Sequence, residues 1–76
     1  MNENEKFDKF LADIEANKLD IYKLAGIENT PENIMQFEKI IKNLVSAYRE
    51  DLNYPGKKGY RYADFRKWLV WKTKGE

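Results

Sequence analysis

The run from Thr30 to Leu52 constrains this chain more than any other stretch. Ile34, Phe37, Ile40, Ile41, Leu44, Val45, Tyr48 and Leu52 recur at spacings of three and four. At about 100° per residue they fall on one stripe, with Glu38, Lys39, Lys42, Asn43, Ser46, Arg49 and Glu50 on the other side. Ahead of the run stand Thr30, Pro31 and Glu32. That order suits a helix start, with Thr30 as N-cap, Pro31 where no backbone donor is missed, and Glu32 against the positive end of the dipole. The pattern predicts one helix over 31–52 with an apolar stripe wide enough to need partners on two sides.

Seventy-six residues allow a single small core, and the chain has no cysteine, so neither a disulfide nor a thiolate zinc site can reinforce it. The lack of cysteine also leans toward a reducing, cytoplasmic setting. No apolar run approaches the length of a membrane span, and the polar start Met1-Asn2-Glu3-Asn4-Glu5 is unlike a signal peptide.

Along the chain, Phe7, Phe10, Leu11 and Ile14 give a first helix over 3–16, with Glu3, Glu5 and Asp8 near its N-terminus. After Ala16 two readings compete. The stripe can continue through Lys18, Ile21, Tyr22 and Ala25, or Asn17 can start a separate short helix near 18–25 that brings Leu19 and Leu24 into the core. The break is preferred, because Leu19 and Leu24 are off-phase in the continuous version. Gly26 suits the residue just past a helix end, with Ile27 placed for the contact that follows such a stop. Pro55-Gly56 suits the centre of a type II turn, and glycines on both sides of Lys57-Lys58 predict a mobile loop. Residues 60–73 fit a helix or a strand; the absence of a second strand to pair with decides for helix, near 61–73. The expected fold is therefore all-α: one domain over 1–76, a small bundle of three main helices and one short helix. Its expected core is Phe10, Leu11, Ile14, Ile21, Phe37, Ile40, Ile41, Leu44, Tyr48, Phe65 and Leu69, with Leu44→Ala expected to cost ~2–5 kcal/mol.

Catalysis finds little support. There is no His or Cys, and the single serine, Ser46, lies on a polar helix face. Gly56-Lys57-Lys58-Gly59 lacks phosphate-loop spacing, no calcium-loop pattern is present, and no cofactor or metal is expected. A helix-turn-helix outline over Ile21–Ile41 fails on bulky Tyr22, four residues before Gly26, and on Pro31 at the second helix's entry.

Charge is the clearest functional hint. Up to Leu52 there are seven bases and eleven acids; from Asn53 to Glu76 there are seven bases and two acids. The basic, aromatic segment 53–76 interleaves Lys and Arg with Tyr54, Tyr60, Tyr62, Phe65, Trp68 and Trp71. Phe65, Trp68 and Leu69 at helical spacing are readily explained as core. Trp71, at the edge of that face, with Lys57, Lys58, Arg61, Arg66, Lys67 and Lys74, forms the candidate partner-binding set. The expectation is a non-enzymatic protein-binding module, in the manner of a small bacterial or phage regulator or inhibitor, occupying an acidic patch on a partner. Self-association through the central stripe is compatible with it. The alternative is nucleic-acid binding by the same segment, with bases stacked on rings and cations on phosphates. The acids of the body argue against that alternative, since they repel a long polyanion.

Overall fold

In the computed structural model, which describes residues 3–74, the central run starts as its sequence requires. Thr30 Oγ1 accepts from the Asn33 amide at 3.1 Å, and Pro31 opens the helix. Residues 1–2 and 75–76, and the Glu3 side chain, lie outside the described residues. Among those described the fold is all-helical, with α1 (Glu3–Ala16), α2 (Lys18–Ala25), α3 (Pro31–Met35), α4 (Phe37–Glu50) and α5 (Tyr62–Thr73).

The helix expected over 31–52 is two helices, broken at Gln36. The Asn33 carbonyl, which would take the Phe37 amide in a continuous helix, instead takes the Tyr22 hydroxyl at 2.7 Å and the Gln36 amide at 3.2 Å. Asn33 Nδ2 also donates to the Glu28 carbonyl at 2.7 Å, so the first turn is drawn toward α2. At the far end the helix stops at Glu50. Asp51 turns extended, and its carboxylate accepts from the Asn53 amide at 2.9 Å. Leu52 leaves the stripe and stands 92% exposed.

The break after Ala16 is present, though Asn17 makes no side-chain cap; its Nδ2 donates back to the Asp13 carbonyl at 2.7 Å. The burial phase is nonetheless the one a continuous stripe would have. Ile21 and Tyr22 are buried and Leu24 half-buried, while Leu19 is 58% exposed, against expectation. Gly26 at φ 72° closes α2, with its amide on the Lys23 carbonyl and the Ile27 amide on the Tyr22 carbonyl. That pairing satisfies two carbonyls that the helix end leaves open, and Ile27 packs on the core.

The segment between α4 and α5 departs from expectation twice. Gly56 lacks the positive φ that a type II turn demands. Its need is steric instead, because a Cβ there would run into the Tyr54 ring, which is turned against Trp71. Nor is the Lys57-Lys58 loop loose. Lys58 Nζ donates to the Arg49 and Asp51 carbonyls at the end of α4, and the Tyr48 hydroxyl donates to the Gly59 carbonyl at 3.0 Å.

The core joins Phe10 and Ile14 of α1, Ile21 and Tyr22 of α2, Ile41, Val45 and Tyr48 of α4, and Phe65, Trp68 and Leu69 of α5. Aromatic pairs dominate it. Phe65 meets Phe10 at 5.9 Å and Tyr48 at 5.6 Å, both edge-on, the arrangement that ring quadrupoles favour. Phe37, Ile40 and Leu44, expected inside, are only half-buried, so the large truncation costs belong elsewhere than Leu44. Leu11 is 37% exposed. The reason is topological: the α1 backbone comes close to α2 and α5 but not to α4, which it meets only through side chains such as Phe10 on Tyr48, and Leu11 faces the gap that this leaves.

Candidate functional site

Tyr60 anchors the candidate surface. Its ring stands edge-on to Phe7 at 5.5 Å and under the Arg49 guanidinium at 5.9 Å, which fixes the segment leading into α5 against α1. That docking brings Lys57 and Arg61 to Lys6 and Lys9 of α1, around a recess of about 480 Å3 floored by Tyr60, Tyr62 and Gly59. Asp13 and Asp64 also line it, and Lys9 is paired with Asp13 at 3.3 Å across one helical turn. A Cβ at Gly59 would stand 2.8 Å from Asp64 Oδ2, so a side chain there would push the Asp64 carboxylate aside. Asp64 Oδ2 is itself covered and accepts no hydrogen bond from the described residues.

The seven residues singled out from the sequence do not share one surface. Lys57 and Arg61 line the recess. Lys58 turns away to cap α4. Arg66 is committed to Asp20, with Nε 2.9 Å from Oδ2. Lys67 on α5 and Lys74 just past its end are exposed, and Trp71 is half-buried against Tyr54 at 5.3 Å. Lys6 and Lys9 were missed, because they sit in a segment whose local charge is acidic. Only the fold of the 51–61 segment onto α1 brings them into the basic set.

Two carboxylates tie α5 to the rest. Asp20 accepts from the Tyr62 hydroxyl at 2.6 Å and from Arg66, which together hold its pKa below the ordinary value. Asp51 is likewise held low, first by the Trp68 indole N–H at 3.0 Å and then by the Asn53 amide. Burial pushes Tyr48 up to about 12, aided by the nearby Asp64, and pushes Tyr62 up to about 12, aided by its bond to Asp20. These shifts set a pH window. The carboxylates bind protons more weakly folded than unfolded, so their contribution is complete above about pH 5 and is lost as pH falls from about 4 through their folded values. The tyrosines bind protons more tightly folded, so theirs is complete below about pH 9 and is lost between about 10 and 12. Urea midpoints should be flat from about pH 5 to 9 and fall on both sides. In Asp20→Asn the acid-side fall should be shallower.

A second open surface lies between α1 and α4. Phe7 and Leu11 on one side and Phe37, Ile41 and Val45 on the other line a groove of about 500 Å3, edged by Glu15, Glu38, Lys42, Ser46 and Arg49. The Arg49 guanidinium stands 6.0 Å from the Phe7 ring, and Lys18 Nζ 5.9 Å from the Phe37 ring. The two helices therefore run antiparallel along it. Among the described residues no group of three His, Cys, Asp or Glu side chains stands close enough to hold a metal ion, and no helix is long and apolar enough to cross a membrane. No protein-family model matches the chain, and no curated protein or solved structure matches it either.

Proposed function

We propose that the chain is a non-enzymatic protein-binding module that occupies an acidic surface of its partner with the recess formed by Lys6, Lys9, Lys57 and Arg61. The observation that carries this reading is the convergence of four cations from two distant parts of the chain on one recess. Two acids share that lining, which leaves an excess of two positive charges for a partner's carboxylates. Acting as a regulator or inhibitor by covering that partner's surface is the mode such a module supports.

The nucleic-acid alternative is disfavoured by what the aromatic rings are doing. Phe65 and Trp68 are buried, Trp71 lies against Tyr54, Tyr60 lies against Phe7, and the Tyr62 hydroxyl is bound to Asp20. Few rings are left for bases to stack on, and the net charge is only +1. The tagged chain used as bait in its host's lysate should recover a protein partner. Lys6→Glu/Arg61→Glu should abolish that recovery, while Lys67→Glu/Lys74→Glu on the outer face of α5 should preserve it. The opposite pattern would move the site to α5, and recovery of nucleic acid alone would reverse the ranking.

A further inference from the structure

The α1–α4 groove is a separate surface from the recess, and its charges are arranged in a way that the recess does not explain. Glu38 and Arg49 lie on the same side of α4, three helical turns or about 16 Å apart. Glu15 joins Glu38 at one end, since Lys18 reaches Phe37 there, while Arg49 holds the other end over Phe7. The side chains of Glu15 and Glu38 make no hydrogen bond or ion pair with the described residues. Leu11 lies midway between Phe7 and Glu15 on α1, one turn from each, at the centre of the groove.

We infer that the groove is the interface for a second copy of this chain, docked about a two-fold axis that crosses the groove at Leu11. Such an axis sets α1 against its counterpart and α4 against its counterpart, each pair antiparallel. The acidic end of one copy then faces the basic end of the other, so Glu38 meets the partner copy's Arg49 and the reverse. A two-fold interface must be complementary to itself, and a groove with opposite charges equally far from its centre meets that condition. Leu11, 37% exposed, packs on its own counterpart at the axis, and the half-buried Phe7 and Phe37 are covered further on both copies. Lys42, beside the axis, keeps its ammonium in water along its stem.

Sedimentation equilibrium and a charge swap test this. The wild-type chain should form a dimer with micromolar dissociation. Glu38→Arg and Arg49→Glu should each weaken it by about tenfold or more, because each repeats a like-charge contact on both sides of the axis. The double variant Glu38→Arg/Arg49→Glu should return dissociation to within about threefold of wild type, since the swap regenerates both pairs only when the occupant is the chain itself. Leu11→Cys supplies a readout that does not depend on affinity. The chain has no cysteine of its own, so L11C should oxidise to a covalent dimer, whereas Lys67→Cys should not. A monomer at all concentrations up to about 1 mM, or a double swap that fails to restore the dimer in a variant with native helicity, would overturn the inference. The monomer result leaves the recess reading in place, because no groove charge lines the recess; Arg49 also stacks on the Tyr60 ring, so partner recovery by the recess is read on Glu38→Arg and not on Arg49→Glu.

Discussion

Trp68→Ala should leave a chain with little or no cooperative unfolding transition. Trp68 is 1% exposed, with its ring 5.6 Å from Tyr48 and 5.8 Å from Phe65. Removing a buried aromatic of that size costs about 3–5 kcal/mol, partly for lost burial and partly for the cavity left between α4 and α5. A domain of 76 residues holds roughly 4–11 kcal/mol in all at 0.05–0.15 kcal/mol per residue. The loss is thus a large fraction of the total. The indole N–H adds a second effect, since it donates to Asp51 and ties the end of α4 to α5. Trp68→Phe separates the two, keeping most of the packing while deleting the donor, and should lie between wild type and alanine in its urea midpoint. An alanine variant with a midpoint near wild type would mean that α5 is not part of the core.

Phe10→Ala should have a comparable effect on stability and a larger one on function. α1 makes no close backbone approach to α4, so its attachment depends on side chains. Phe10 is the chief of these, fully buried with its ring 5.9 Å from Phe65, 6.0 Å from Tyr60 and 6.5 Å from Tyr48. Truncation costs about 3–5 kcal/mol and releases α1 from the Tyr60 segment. Because α1 supplies Lys6 and Lys9 to the recess and Phe7 and Leu11 to the groove, both surfaces should fail together. Hydrogen exchange should show the α1 amides losing protection before those of α5. Equal loss across all helices at low denaturant would place α1 inside the same cooperative unit and remove that distinction.

What was legible in the sequence is what neighbouring residues decide among themselves. Thr30 caps because its own hydroxyl reaches Asn33, and Gly26 stops α2 because its own φ is positive. The apolar periods found Phe10, Ile14, Ile21, Ile41, Tyr48, Phe65 and Leu69 in the core. What was not legible depends on contacts between distant residues. At the break at Gln36 the Asn33 carbonyl takes the Tyr22 hydroxyl, eleven residues away, and no local pattern announces it. Leu11 reads as core on its own helix and is 37% exposed because the α4 backbone approaches α5 closely and α1 does not. The candidate site was half legible for the same reason. Lys57 and Arg61 stood out in a basic segment, while Lys6 and Lys9 were hidden among acids until Tyr60 docked on Phe7.

The recess is proposed to take carboxylates of a protein and not phosphates of a nucleic acid. An NMR titration of the isotope-labelled chain tests it most directly, using a glutamate-rich peptide and a single-stranded oligonucleotide of matched charge at about 0.15 M salt. Saturable shifts at Lys6, Lys9, Lys57 and Arg61 are expected with the peptide, and none with the oligonucleotide. Saturable shifts at those four residues with the oligonucleotide, weakening with salt at a log–log slope of about −0.7 per contact, would contradict it.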